Sequence, residues 1–385
     1  MFLNKKKLAA IIIGSLAAGS ALTAGGVFWL LNIHTAGDAA EYIRFFGVKK
    51  FIEARYVEPT DDQALLDGAI AGMVKSLGDP HSVYLNAQSY EGLKQHTEGT
   101  FGGIGVTMGF KDNKVTVISV IEGTPGEGAG VKAGDEILAV DDTPVTEFDP
   151  TEVAQHIRGE VGTNVVLRLH REGAEDFDVT ITRDTIQVPT AKGKMLENTD
   201  HIGYIRIASF GEHTAAEYHE ALENLENDGM KGLIIDLREN GGGLITTCVD
   251  IARTVVPKGP IVSVVRRDGS TEEHDSNLEE NKYPIVVLID GNSASASEIL
   301  AGALQDTGAA TLVGTKSYGK GSVQAVIPMF HNDALKLTIA RYYTPNGRCI
   351  DGTGIEPDVE VELAPDATAD TQLLQAIETM KSKLQ

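Results

Sequence analysis

The chain has 385 residues, too many for one ordinary core and about right for two or three domains. Apolar residues make up 42% and charged residues 23%, the balance of a folded globular chain rather than a disordered one. A net charge of −22, with no basic stripe to offset it, repels phosphate backbones and argues against nucleic acid as a partner. Two cysteines, Cys248 and Cys349, are too few for a disulfide framework. Buried thiols are a commoner reading of such a pair than a single disulfide. Neither a C-x-x-C nor a Cys/His cluster marks a metal site, and no organic cofactor is implied.

Lys5, Lys6 and Lys7 precede an uncharged stretch from Leu8 to Ile33. About 20 apolar residues suffice to cross a bilayer as a helix. Lysines before the run, with Asp38 and Glu41 after it, predict a cytoplasmic stub and an exported body. The expectation is a single-pass anchor in a cell membrane, with the body outside the cytoplasm, in a bacterial envelope. The alternative is a secreted protein, its signal peptide cut near the small residues Ala21 to Ala24.

From Asp38 to Glu98 the spacing of Ile43, Phe46, Phe51-Ile52 and then Leu65-Leu66, Ile70, Met73-Val74, Leu77 predicts helices. Gly78-Asp79-Pro80 ends that pattern. From Thr100 to Ile186 the texture turns to short strands with glycine punctuation: 115–121, 136–140, 165–169 and 177–181. Helices at 126–131 and 151–158 fit between them, the second capped by Asp149 or Thr151. That content makes a small, partly open barrel with two helices. From Lys192 to Leu363 apolar strands at 202–207, 232–237, 261–265 and 285–289 alternate with helices at 215–226, 245–254 and 296–305, an α/β core. An amphipathic helix at 372–384 closes the chain.

Three segments carry chemistry. In the first, the buried strand Ile285–Ile289 runs through Asp290-Gly-Asn-Ser293-Ala-Ser295-Ala-Ser297-Glu298 into a helix. A serine at such a turn is exposed at the sheet edge with helix-start N–H groups beside it. Serine is also a good N-cap, so this segment alone leaves the role of Ser293, Ser295 and Ser297 open. The second segment, Gly314 to Gln324, approximates a P-loop, but Gly321 stands where that motif needs a hydroxyl, and predicted strands flank it. A lysine among glycines and apolar neighbours can instead be desolvated, leaving a neutral amine to take a proton from serine. Such a site predicts no acidic partner close to Lys320. The ten histidines fall in no comparable context. In the third, Asp236-Leu-Arg238-Glu239-Asn240 leads into Gly241, Gly242 and Gly243, which let backbone approach a ligand.

Together these resemble the carboxy-terminal processing peptidases, the tail-specific Ser–Lys proteases, through D-L-R-E-N-G-G-G, S-A-S-A-S-E-I and G-K-G-S-V-Q in that order along the chain. The resemblance continues through Gly72–Leu85, Tyr343–Arg348 and Gly354–Asp358, the last two like the family's C-terminal strand region. It implies a crotonase-like α/β core. The family's nucleophile lies 25 residues before the lysine; 320 − 295 = 25 selects Ser295 as nucleophile, with Lys320 as general base. Gln324 corresponds to the family's glutamine, whose amide holds the lysine amine. The backbone N–H of Ala296 and one from Gly241 or Gly242 would bind the oxyanion. Glu239 departs from the usual asparagine, at a position read as peripheral.

The β-rich middle resembles a PDZ domain. The run F-G-G-I-G-V places Gly102, Gly103, Ile104, Gly105 and Val106 at the carboxylate-binding loop, and Val131-Lys-Ala-Gly134-Asp135-Glu-Ile-Leu138 matches the family's turn and strand. Consecutive glycines expose N–H groups to a terminal carboxylate, and the adjacent strand edge pairs with the peptide. Arg158, beside Gly159, would link this domain to the core.

The expected layout is therefore a cytoplasmic stub and anchor at 1–37, a helical segment at 38–98, an inserted PDZ domain at 99–186, a Ser–Lys core at 187–364 and a C-terminal helix at 365–385. The implied activity is endopeptidase cleavage of proteins recognised by their free C-termini, through an acyl-enzyme on Ser295. The terminal helices suggest a homodimer. A silent PDZ scaffold would have no use for the Ser295, Lys320 and Gln324 spacing, and an acyl-CoA enzyme would need a basic cluster that the sequence lacks.

Overall fold

The computed structural model describes residues 35–111, 114–148, 152–363 and 369–385. They fall into two units, the first ending at Gly78 and the second running from Asp79 to the C-terminus. The apolar run at 8–33 and the caps at Asp149 and Thr151 lie outside the described residues. Among those described, no helix is long and apolar enough to cross a membrane.

The first unit contains two helices, α1 (Ala36–Arg55) and α2 (Asp62–Lys75). Thr35 starts α1 with a reciprocal cap: its hydroxyl accepts the Asp38 N–H at 3.2 Å, and the Asp38 carboxylate accepts the Thr35 N–H at 2.8 Å. Asp61 starts α2 by accepting the Ala64 N–H at 3.0 Å. Lys49 pairs with Glu53 one turn on and with Asp62 at the head of α2. The helical spacing read from the sequence is realised, but α1 buries none of its residues.

In the second unit β1 (Val83–Leu85) and α3 (Ala87–Glu98) lead into β2 (Thr100–Gly103). A sheet follows, built from β3 (Val106–Lys111), β4 (Lys114–Val120), β5 (Glu136–Val140), β6 (Thr143–Pro144), β7 (Asn164–His170) and β8 (Phe177–Thr182). Its order is β3-β4-β5-β7-β8 with β6 on β5, so β3 is an end strand. Two short helices, α4 (Pro125–Gly128) and α5 (Val153–Ile157), accompany it. Val115, Val117, Ile137, Leu167 and Leu169 point inward at alternate positions and pack with Val153 and Ile157. Then β9 (Asp184–Gln187) returns to pair antiparallel with β2.

The remaining chain is α/β. Its elements are β10 (Ala191–Met195), β11 (Ile202–Ile207), α6 (Thr214–Asn227), β12 (Gly232–Asp236), α7 (Ile245–Ala252), β13 (Gly259–Arg266), β14 (Thr271–Ser276), β15 (Ile285–Ile289), α8 (Ala296–Asp306), β16 (Ala310–Gly314), β17 (Ser322–Pro328), β18 (Ala334–Tyr343), β19 (Val359–Glu360) and α9 (Thr371–Leu384). One sheet runs β10-β11-β12-β15-β16-β19, parallel from β11 onward. Every residue of β12 and β15 is buried, because helices cover both faces. Ile235 and Val287 face α6, α7 and α8, while Ile234, Val286 and Leu288 face Ala376 and Met380 of α9. Each such side chain contributes about 1.5–3 kcal/mol on burial. A second sheet, β1-β18-β13-β14 with β17 on β18, adds Ile261, Val264 and Tyr342 to the same core.

Two sequence expectations need correction. Tyr343–Arg348 and Gly354–Asp358 are mostly loop rather than strand, and the strands β18 and β19 lie beside them. The sequence reading also passed over β10, β14 and β18, whose charged residues obscure the alternation.

Candidate active site

Strand β15 delivers the serine cluster at its C-terminal end, where the three hydroxyls meet different fates. Ser293 is buried, and its Oγ donates to the Leu237 carbonyl at 2.8 Å while accepting the Asp290 N–H at 2.9 Å. Ser297 is buried and donates to the Asn240 carbonyl at 2.8 Å. Ser295 alone is partly exposed, and its hydroxyl donates to no acceptor among the described residues. It occupies the N-cap position of α8 yet sits at φ 56°, ψ −114°, far from the extended backbone of an ordinary cap. Such a conformation persists only where surrounding structure over-determines it. The Ser295 carbonyl accepts the Ile299 N–H at 2.9 Å and the Tyr342 hydroxyl at 3.1 Å.

Lys320 follows β16 on a loop laced to its surroundings. The Tyr318 N–H donates to Ser293 O at 3.1 Å, the Gly352 N–H to Gly319 O at 2.8 Å, and the Gly321 N–H to the Asp351 carboxylate at 3.1 Å. The Lys320 amine is pushed below the usual lysine range. Burial is the main cause, because it disfavours the ammonium, and Lys336 on β18 adds like-charge repulsion. The expectation of no acidic neighbour is corrected here: Glu298 and Asp79 both pull the value up, and burial outweighs them. Gln324, on β17, donates from Nε2 to Ser322 Oγ at 2.9 Å and Thr338 Oγ1 at 3.2 Å. Only its Oε1, an acceptor, is left to serve a lysine amine.

The glycine loop after β12 closes over the serine turn. A Cβ on Gly242 would lie 2.6 Å from Ala294 O and 2.9 Å from Ala296 N, and its φ is +99°. Its N–H already donates to the buried Asn240 Oδ1 at 2.8 Å. The N–H groups of Gly241 and Ala296 have no acceptor among the described residues. Arg238 faces away from this chemistry. Its guanidinium is bidentate on the buried Asp236, at 3.0 and 2.7 Å, and holds Asp370 at the head of α9 at 2.8 Å. Glu239 is exposed and binds the Asn292 amide at 2.9 Å.

Sequence reasoning named Ser295 and Lys320 as candidates and passed over the parts played by two buried residues beside them. The Asn240 carbonyl accepts both the Ala294 N–H at 3.0 Å and the Ser297 hydroxyl, tying the glycine loop to the serine turn. Glu298 accepts the N–H groups of both Ser295 and Lys320, at 2.8 and 2.9 Å. The signal for Glu298 was present: Ser295-x-x-Glu298 at a helix start is the capping-box spacing, whose glutamate accepts the cap residue's N–H.

At the other glycine loop, Gly105 has φ +78° and the Ile104 side chain is buried. The Ile104 carbonyl accepts the Gly126 N–H at 2.7 Å, while the N–H groups of Ile104 and Gly105 find no acceptor among the described residues. Gly102 meets Gly159 backbone to backbone, the Gly159 N–H donating to Gly102 O at 3.1 Å, and Gly103 continues β2. Val106 opens β3 and packs on the same core as α5. The Arg158 guanidinium lies over the Phe101 ring, 4.2 Å from its centre. Neither cysteine is in a disulfide: Cys248 is a buried thiol donating to Ala296 O at 3.1 Å, and Cys349, contrary to the buried reading, is exposed.

Residues 201–361 match peptidase family S41, residues 102–181 the PDZ domain family, and residues 34–89 the activating protease CtpB N-terminal domain. The carboxy-terminal-processing protease of Bartonella bacilliformis is 39% identical over 356 residues, 90% of this chain and 81% of its own. The carboxy-terminal processing protease CtpA of Bacillus subtilis is 39% identical over 333 residues, covering 86% of this chain and 71% of the relative. A solved photosystem II D1 C-terminal processing protease superposes with a TM-score of 0.51 at 29% identity, covering 88% of this chain and 91% of that one. Likeness of this extent, over both the PDZ and the α/β portions, means that the chain belongs to peptidase family S41, as a carboxy-terminal processing serine protease.

Proposed function

We propose that the chain is an endopeptidase that binds proteins by their free C-termini and cleaves them through an acyl-enzyme on Ser295. Lys320, as a neutral amine, takes the Ser295 proton and returns it to the leaving amine; water then repeats the sequence in reverse. Gln324 holds the amine through Oε1. The oxyanion is bound by the N–H of Ala296 and that of Gly241, since the Gly242 N–H is already engaged by Asn240. The observation that carries this reading is that one carboxylate oxygen, Glu298 Oε2, accepts both the Ser295 and the Lys320 N–H, so the backbones of the proposed nucleophile and base are neighbours. Mass-spectrometric detection of fragments from an unfolded protein tests it: cleavage by the wild type and none by Ser295→Ala is expected, and intact substrate with both sinks it.

Substrate capture is assigned to the loop at Gly102, Gly103, Ile104, Gly105 and Val106. Two unpartnered N–H groups suit a terminal carboxylate, and the open edge of β3 suits an added strand. Domain limits at 99–186 and 187–364, a crotonase-like core, a bridging role for Arg158, a homodimer, and tethering or export through residues 8–33 complete the reading. No other function class accounts for the Ser295–Lys320 pairing together with an open strand edge.

A further inference from the structure

Glu298 lies in the first turn of α8 and is fully buried. Its Oε1 accepts the Ser317 hydroxyl at 2.5 Å and the Gly319 N–H at 2.7 Å; its Oε2 accepts the Ser295 N–H at 2.8 Å and the Lys320 N–H at 2.9 Å. Three of these neighbours are backbone N–H groups, which can only donate, and the fourth is a hydroxyl, so both carboxyl oxygens are engaged. We propose that Glu298 is a positioning residue for the reaction, its carboxylate locking the strained Ser295 turn and the Lys320 loop into one frame that keeps hydroxyl and amine in register. This rests on the Ser295–Lys320 reading above.

The frame is closed from both sides. The N–H groups of Ser295 and Lys320 converge on Glu298; the Tyr342 hydroxyl lies between their carbonyls, its one proton shared and closer to Lys320 O, and Ser295 O also accepts the Ile299 N–H. Ser295 therefore has both backbone groups fixed, which is what its φ of 56° requires. A hydroxyl or a backbone carbonyl could not replace Glu298, because neither offers two oxygens to four donors. The arrangement has an electrostatic consequence: the anion draws a proton onto the lysine that must be neutral. The charged and titratable groups around Lys320 are Glu298 and Asp79, which favour the ammonium, and Lys336, which opposes it. Tyr342 and Asp351 touch the same loop through its backbone. Burial dominates, so the amine stays depressed despite Glu298.

This gives the positioning role a signature that a merely structural residue lacks. Glu298→Gln replaces one acceptor oxygen with an NH2 that faces donors, and it removes the anion. In the full chain, with fluorescein-labelled casein as substrate, its kcat is expected to fall by about 100-fold, the effect of a displacement of roughly 1 Å at the reacting groups. KM should change little, and the acid limb of kcat/KM should move to lower pH because the lysine loses its anionic neighbour. Glu298→Asp keeps the charge but withdraws it by one methylene, so kcat should fall while the acid limb stays in place. A folded Glu298→Gln with wild-type kcat, or with lost kcat and an unmoved acid limb, overturns the inference. If Glu298→Gln does not fold, Glu298→Asp decides, and wild-type kcat there overturns it equally. Ser295→Ala is run alongside: cleavage surviving in that variant overturns the serine reading itself, whereas its loss together with an unaffected Glu298→Gln overturns this inference alone.

Discussion

Two glycine loops leave strands in this molecule, and they are built against different neighbours. At Gly242 the missing Cβ makes room for backbone: Ala294 O, Ala296 N and the Cβ of Ser295 all lie within 3 Å of where it would stand. At Gly105 the space is filled by the side chain of Thr124. At both glycines the neighbour is fixed: the turn at Ser295 is already held, and the Thr124 Cβ, 2.3 Å from where a Gly105 Cβ would stand, does not move when χ1 rotates. The first loop is thus packed against the Ser295 turn. The second leaves the N–H groups of Ile104 and Gly105 without an acceptor among the described residues, beside the end strand β3.

Ser295→Ala should separate the two loops most sharply. Cleavage is expected to drop by at least about 10³-fold, as on removal of a serine nucleophile elsewhere. Binding of a free-acid peptide, read by fluorescence anisotropy, should not change. Cleavage persisting in Ser295→Ala and lost in Ser297→Ala would contradict the assignment. Lys320→Arg should lower kcat by about 10²–10⁴-fold, because guanidinium stays protonated at any usable pH. The wild-type pH profile supplies the sign: the base works neutral and burial depresses it, so kcat/KM rises with pH through one ionisation below the solution lysine value. A midpoint at or above that value would contradict a buried base.

Smaller effects sharpen the comparison. Gly242→Ala should cost about 10²-fold in kcat by shifting the Ser295 turn, whereas Gly241→Ala, with open space for its Cβ, should keep most activity because its N–H is retained. Equal losses in both would remove the distinction between a packed and a donating glycine. Amidating the substrate C-terminus should raise KM by roughly tenfold, since charge-assisted N–H contacts are each worth about 1.5–3 kcal/mol at most. Gly105→Ala should erase that preference, its φ of +78° being unfavourable for alanine. Indifference of the wild type to amidation would detach this loop from substrate choice.

Sequence alone settled the α/β character of the larger unit, because β15 is a continuous apolar run and β12 nearly one, as a doubly covered sheet requires, with helical patterns between the strands. It also set the candidate pair, since a 25-residue interval between Ser295 and Lys320 is a property of the chain. It left β18 unread, whose burial is uneven because three strands, β1, β13 and β17, pair with different parts of it. Three decisions belonged to tertiary structure. Ser293 and Ser297 spend their protons on Leu237 O and Asn240 O, carbonyls more than 50 positions away. Gly242 spends its N–H on the Asn240 side chain, while that of Gly241 has no acceptor among the described residues. Glu298 draws donors from two separate loops onto one buried carboxylate. Local sequence fixes which groups a residue carries; which of them are already satisfied depends on partners that only folding brings within hydrogen-bond distance.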